Sequence, residues 1–517
     1  MGNLLRGMNK VYSAAITGLE AELVEVEADL SSGLRFFSIV GLPDKSVEES
    51  RERIAAAIKN SGAEPPHKQN KRVIINLAPA DLKKEGSAYD LPIAISFLLS
   101  SEQLHFDSKD KLFIGELALN GEVRRVNGVL PICLLAKEKQ INTVFVPKDN
   151  ANEAKLIKEL NIIPIQSLAE LIGFLENRID IEPLKPFEIE TFENLDTESY
   201  PIDMAYIKGQ ENAKRALEIA ASGNHNVLMT GPPGSGKTLL ARAMSSILPK
   251  MTWDEILEVT KIYSVSGKLS HHKSLISRRP FRSPHHSASE ASLIGGGSSA
   301  RPGEITLAHR GVLFIDEFPE VHRDVLESLR QPMEDGVISV ARAKASYTFP
   351  ARFILIAAMN PCPCGYYGDP EKQCTCYPNQ INKYQRRISG PIMDRIDLYV
   401  EVPHVKYEKL TDEKNEGSSA EIRQRVEKAR KIQLERFKND NIITNSEMGI
   451  PLIKKHCQTD ENGNRLLRNA VNNLHLSARG FHRILKLART IADLVESSNI
   501  ASDHIAEALQ YRPKTEI

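Results

Sequence analysis

The sequence predicts an α/β protein built around a parallel sheet, with its working loops at one edge of that sheet and a helical remainder behind it. Three segments carry the prediction. Asn226-Val-Leu-Met-Thr230 is a strand-sized apolar run that passes directly into Gly231-Pro-Pro-Gly-Ser-Gly-Lys237-Thr238 and then into a helix-forming stretch. Gly311-Val-Leu-Phe-Ile315 is a second such run, ending in Asp316 and Glu317, and Phe353-Ile-Leu-Ile-Ala-Ala-Met-Asn360 is a third. Short continuous apolar runs bounded by turn residues and acids are the pattern of strands buried on both faces, as parallel strands are.

The loop after the first strand fits G-x-x-x-x-G-K-[ST] in full. Gly231, Pro232, Pro233, Gly234, Ser235 and Gly236 supply a turn whose backbone N–H groups can surround one anion, and the following helix adds its partial positive charge. Lys237 is placed to reach the β- and γ-phosphates of a nucleoside triphosphate, and the Thr238 hydroxyl to ligate Mg²⁺. Asp316, at the mouth of a parallel strand, suits the same Mg²⁺ through water. Glu317 beside it is placed to polarise an attacking water. Asn360, ending the third strand, would sit by the γ-phosphate. Acids after a strand also cap helices, so these two acquire meaning from the phosphate loop in front of them.

Ala357-Ala-Met-Asn360-Pro361 and Ile388-Ser-Gly-Pro-Ile-Met-Asp-Arg395-Ile-Asp397 resemble AAA+ ATPases of the magnesium-chelatase-like and MCM branch. Within that branch the chain is similar to the ComM/YifB family over almost its whole length, from about Met8. The resemblance implies a P-loop AAA+ core with a parallel sheet and a C-terminal α-helical lid, using ATP/ADP and Mg²⁺. It implies a homo-hexamer acting on single-stranded or branched DNA, as in branch migration during recombination or natural transformation. It also assigns residues: Ile207 and Gln210 to the segment that packs on adenine, Arg395 to an arginine finger offered to a neighbouring subunit, and Arg479 (Arg483 in reserve) to the arginine sensor. A hairpin over residues 336–349 would face the central channel with Arg342 and Lys344; the plain alternative is a surface hairpin. Two other functions stay open. A metal-insertion motor, like the magnesium-chelatase ATPase subunit, predicts partner subunits and no DNA-stimulated turnover. An ATP-dependent protease predicts a catalytic dyad.

Along the chain the expected order is a domain over residues 8–181, a linker over 182–200, the ATPase core over 201–403 and a helical lid over 404–517. The first region alternates strands, such as Arg72–Asn76, Leu112–Gly115 and Thr143–Pro147, with helices. Asp90-Leu-Pro-Ile-Ala94 and Phe113-Ile-Gly-Glu-Leu-Ala-Leu-Asn-Gly-Glu-Val123 resemble the Lon protease-like domain. A Lon peptidase needs a serine and a lysine held together. Here the serine position falls at Ala88, with Ser87 one residue away, and the lysine position at Leu130. The first domain is therefore expected to be non-proteolytic. Acidic and proline-bearing composition marks the linker, and Ala420–Phe437 and Leu466–Gln510 read as the lid helices.

With Lys+Arg and Asp+Glu both at 67, the whole molecule carries no polycationic field, so any nucleic-acid contact must be local. From Val259 to Ser289 there is no acid, while Lys261, Lys268, Lys273, Arg278, Arg279 and Arg282 stand among His271, His272, His285 and His286. That segment can meet phosphates without sequence preference, or be a solvated loop. Ile294–Gly303, rich in glycine, could serve as a pore loop. Cys362, Cys364, Cys374 and Cys376 form a C-x-C…C-x-C pair. Four such thiolates can encircle Zn²⁺; the alternative is four reduced cysteines in a loop. Cys133 and Cys457 read as isolated core residues. The apolar runs are strand-sized and Met1–Arg6 has no secretory core, so a cytoplasmic protein without membrane contact is expected.

Overall fold

The computed structural model describes residues 10–187, 200–270, 274–296, 301–341, 346–405, 409, 417–473 and 476–513. They divide into two compact units. One holds the described residues up to 187 with Ile256–Ile276, and the other the described residues from 200 to Glu255 and from Ser277 onward.

The first unit is built on a seven-stranded mixed sheet in the order Phe36–Val40, Lys71–Ala78, Glu20–Ser32, Lys10–Thr17, Lys111–Phe113, Thr143–Pro147, Asn161–Ile165. The central hairpin Lys10–Thr17/Glu20–Ser32 turns at Gly18, whose φ of 65° a side chain would resist. Lys71–Ala78 continues the antiparallel part, and the outer neighbours are parallel. All three strands read from the sequence are present, the second shortened to Lys111–Phe113. Helix Asp90–Ser100 is apolar on every side and is buried along nearly its whole length. Its single charge, Asp90, is satisfied by Arg53 through Nε at 3.0 Å and Nη2 at 3.2 Å and by the Leu117 N–H at 3.2 Å. Burial pushes Asp90 up to about 6, with the Arg53 guanidinium pulling the other way.

The second unit holds a five-stranded sheet, parallel at every pairing, in the order Phe281–Arg282, Val312–Ile315, Ile354–Met359, Val227–Thr230, Leu398–Glu401. The two central acid- and asparagine-tipped strands are buried at every residue, as their unbroken apolar sequences require. Behind the sheet stand helices Ser419–Arg436, Ile450–His456, Glu461–Asn473, Ala478–Leu494 and Ser502–Gln510. These helices and the sheet share one apolar core, in which Val227, Leu240, Ile356, Val426, Ile484 and Ile491 are all buried. The hairpin read at 336–349 is present as Val337–Ala341 paired with Ser346–Pro350.

Asp90→Ala should strand the Arg53 guanidinium and the Leu117 N–H together. Removing one partner of such a pair costs about 3 kcal/mol, and hydrogen exchange should show helix Asp90–Ser100 opening more readily. Unchanged protection there would show that Asp90 does not anchor the helix.

Candidate functional site

All five strands of the second unit run the same way, so their carboxyl ends open on one edge, where ligands bind in sheets of this kind. Thr230 ends its strand, and the chain turns through Gly231–Gly236 into helix Lys237–Ile247. Gly234 and Gly236 take φ of 77° and 93°, and Gly231 lies so close to the next strand that a Cβ would stand 2.1 Å from the Val402 carbonyl oxygen. Lys237 is buried, its Nζ donating to the carbonyls of Gly231 at 2.7 Å and Pro232 at 2.8 Å and to Asn360 Oδ1 at 3.3 Å. Burial lowers its pKa and the Asp316 charge opposes that. The Thr238 hydroxyl donates to Asp316 Oδ2 at 2.9 Å. Three strand ends thus bring Lys237, Thr238, Asp316 and Asn360 into one cluster. Ser235 Oγ is buried there with no hydrogen-bond partner among the described residues, which suits a loop shaped for an anion.

Glu317 follows Asp316 in the left-handed region at φ 50°, a strained placement for a residue with a side chain. His286 Nδ1 lies 3.1 Å from Glu317 Oε2, and the His286 ring sits 4.1 Å from that of His285. Sequence reasoning missed this contact, because His286 entered only as part of a basic segment. On the other flank, Ile207 is buried and Gln210 Nε2 donates to the Pro403 carbonyl at 2.6 Å and toward that of Ser235 at 3.4 Å. Gln210 therefore stands next to the phosphate loop, while Ile207 packs in the apolar core of the second unit.

Arg395 and Arg479 lie elsewhere. Asn226, at the entry of strand Val227–Thr230, donates Nδ2 to the Arg395 carbonyl at 3.0 Å. A four-residue strand of about 13 Å separates that point from the phosphate loop. The Arg395 guanidinium pairs with Glu334 and donates to the Pro391 carbonyl at 2.6 Å, while its buried Nε has no partner among the described residues. Arg479 meets Asp394 Oδ2 at 3.1 Å, and Arg483 donates to the Asp394 carbonyl at 2.7 Å. Arg395, Arg479 and Arg483 share one cavity of about 670 Å³, which Lys237, Thr238 and Asp316 do not line.

The four cysteines come together. Their Sγ atoms all lie within 4.8 Å of one another, with Cys362 to Cys364 at 3.3 Å, Cys362 to Cys374 at 3.7 Å and Cys364 to Cys374 at 3.6 Å. Disulfides would need about 2.05 Å; all four are free thiols, arranged as a group that could hold a metal ion. N–H groups of Cys364 and Cys376 point at the sulfurs of Cys376 and Cys374, each at 3.4 Å. Hydrogen bonds from the Tyr366 and Thr375 backbone pull the Cys364 thiol down to about 5. Cys133 and Cys457 are buried apart from this group, as expected.

The basic segment meets acids that its own sequence lacks. Lys261 pairs with Glu20 at 2.5 Å in the first unit; in the second, Arg279 pairs with Glu255 at 2.9 Å and Arg282 with Glu304 at 2.6 Å. Arg278 stacks over the Tyr200 ring at 4.5 Å. Lys273, His271, His272, Arg342 and Lys344 lie outside the described residues, as do 297–300 of the glycine-rich loop, whose flanks pair as Gly295–Gly296 with Arg301–Pro302. In the first unit the Ser87 hydroxyl donates to the Glu116 carboxylate rather than meeting a lysine. No helix among the described residues is long and apolar enough to cross a membrane.

Residues 203–410 match the family described as magnesium chelatase, subunit ChlI; residues 26–150 match subunit ChlI of Mg-chelatase, and residues 416–512 its C-terminal family. The competence protein ComM of Haemophilus influenzae is 44% identical over 97% of this chain and 97% of its own length. YifB of Escherichia coli is 42% identical over 97% of this chain and 96% of its own, and Rv2897c of Mycobacterium tuberculosis is 39% identical over 98% of each.

Gly231→Ala should force the phosphate loop off strand Leu398–Glu401, since the added carbon would stand 2.1 Å from Val402 O. Overpacking of this kind costs about 1–3 kcal/mol, read as a lowered melting temperature. Gly234→Ala meets no atom within 4 Å and should cost less, through its φ alone. Equal stability of the two variants would contradict the close approach at Gly231.

Proposed function

This chain belongs to the magnesium-chelatase-like ComM/YifB family, and on that footing we propose that it is an ATP-driven DNA-remodelling motor, a hexameric ring that promotes branch migration in recombination or natural transformation.

 The observation that carries this reading is the division of the arginines from the phosphate loop. Lys237, Thr238, Asp316 and Asn360 stand at the carboxyl edge of the sheet, while Arg395 and Arg479 share a cavity beyond the opposite end of strand Val227–Thr230. One chain therefore offers each half to a different neighbour, and a complete ATP site forms between two copies.

In that site Lys237 would exchange its carbonyl partners for the β- and γ-phosphates, and Thr238 and Asp316 would hold Mg²⁺ between them. The ion supplies charge neutralisation on the phosphates. Glu317 accepts the proton of the attacking water, Asn360 orients that water, and Arg395 from the adjoining copy stabilises charge on the transferring phosphoryl group. Gln210 and Ile207 border the base. The N-terminal region over residues 8–181 serves as a non-proteolytic, Lon-like scaffold, consistent with the Ser87–Glu116 contact. The linker is 182–200, the core 201–403 and the lid 404–517, in a cytoplasmic protein. The four thiols hold Zn²⁺. The competence name of the Haemophilus relative supports DNA as the object moved. The magnesium-chelatase match keeps a metal-insertion motor as the second reading.

ATPase measured with single-stranded, duplex and four-way-junction DNA separates the two: stimulation by at least one of them is expected, and turnover indifferent to all three would favour the metal-insertion motor. Arg395→Ala should keep nucleotide affinity within a few-fold yet lose on the order of 10³ in rate. Mixed with Lys237→Ala protein under conditions of demonstrated subunit exchange, it should regain part of the activity, because some interfaces then pair an intact Lys237 with an intact Arg395. Full activity of Arg395→Ala alone would remove the finger from the mechanism.

A further inference from the structure

The cysteine cluster touches the phosphate loop. Cys362 follows Asn360 by two residues, and Asn360 Oδ1 accepts from Lys237 Nζ at 3.3 Å. Gly365, with φ 87°, packs so closely on the loop that a Cβ there would come within 2.5 Å of Pro233 Cδ. Behind it, Gln385 Nε2 donates to the Pro361 carbonyl at 3.1 Å, tying the start of the cysteine loop to helix Pro378–Gln385. The loop is thus held at its start by the asparagine strand and a helix, and its first turn bears on Pro233.

Four thiolates around one Zn²⁺ at about 2.3 Å place the sulfurs about 3.8 Å apart, by the geometry of a tetrahedron. The sulfur pairs at 3.3, 3.6 and 3.7 Å are close to that edge. A closed shell of four sulfurs leaves no open position for catalysis, so such an ion acts by holding chain segments together. Without it, the two cysteine pairs meet across the loop through contacts between sulfur atoms and the weak N–H contact of Cys364 to the Cys376 sulfur.

We infer that Zn²⁺ bound by Cys362, Cys364, Cys374 and Cys376 is a clip that presses the Gly365 turn against Pro233 and so holds the phosphate loop in its nucleotide-binding shape. This rests on the reading of Gly231–Thr238 as an ATP site. Metal content of the cluster then sets nucleotide affinity without any contact between metal and nucleotide.

The test uses the full-length chain and a fluorescent ADP analogue, so that binding is read apart from turnover. Purified protein should contain about one zinc per chain, and a Cys374→Ser/Cys376→Ser variant should contain none. Stripping the metal with a chelator should weaken analogue binding on the order of tenfold or more, as small displacements in a preorganised site do, and added Zn²⁺ but not Mg²⁺ should restore it. Gly365→Ala supplies an arm that needs no metal removal: it should keep its zinc yet bind the analogue more weakly, because the added carbon pushes Pro233. Zinc-free protein as purified, iron in place of zinc, or stripped and Gly365→Ala proteins that both bind with undiminished affinity would each overturn the clip. Lys237→Ala distinguishes the underlying reading. If it binds the analogue as well as the unaltered chain, the ATP site itself is misplaced; if it loses binding while metal removal changes nothing, only the clip fails.

Discussion

Every group in the candidate site is placed by the uniform direction of the five-stranded sheet. Because each pairing is parallel, the residues just past Thr230, Ile315 and Met359 leave the sheet at the same edge. A glycine loop, an acid pair and an asparagine widely separated in sequence then become neighbours: Thr238 reaches Asp316, and Lys237 reaches Asn360. An antiparallel strand anywhere among the central three would carry its loop to the far edge and dismantle the cluster. The register is secured by burial on both faces, since Leu228, Leu313 and Leu355 face one apolar cluster while Val227, Phe314 and Ile356 face the other. A slip of one residue would exchange those faces.

This part of the molecule was legible in the sequence because strand, loop and motif are contiguous there. The phosphate loop carries its own geometry in its glycines, and behind it an apolar run ending in Asp316-Glu317 reads as a second strand of the same site. The four-cysteine group was legible for the same reason, being two close pairs across a short loop. What the sequence hid depends on contacts between distant segments. The run from Val259 to Ser289 contains no acid, yet Glu20, Glu255 and Glu304 reach Lys261, Arg279 and Arg282 in space, so local charge overstated the positive surface. His286 beside Glu317 was hidden likewise, its partner being supplied by a different strand end.

The C-terminal helices show a further limit. Amphipathic periodicity revealed them, but not that they share a core with the sheet, nor the polar groups buried between. Asp493 is fully buried and is met by Arg436, by Arg489 at 3.0 Å and by Asn445 at 2.8 Å. Asn445 also reaches Thr490, which in turn lies 2.9 Å from His225 Nε2. Such groups are tolerated in an interior only where their partners are complete, and those partners come from four separate segments that no local pattern connects.

That network bears on the proposal that one chain contributes to two nucleotide sites. His225 Nδ1 lies 3.2 Å from Asp397, two residues beyond Arg395, and Asn226 holds both the Arg395 carbonyl and, through its Oδ1, the Leu355 N–H at 2.9 Å. His225 and Asn226 immediately precede Val227–Thr230, the strand that ends at the phosphate loop. Arg395 and the glycine loop are therefore joined by one short strand, paired on both sides within a close-packed sheet. Interiors of this density are poorly compressible and shift between discrete arrangements more readily than they deform. A displacement of the loop when phosphates bind would reach Asn226 along the strand, and from there the Arg395 backbone and, through His225 and Thr490, the C-terminal helix Ala478–Leu494 that carries Arg479. The hydrogen bonds at Asn226 and His225 tie the entry of that strand to the Arg395 backbone, to Asp397 and to Thr490.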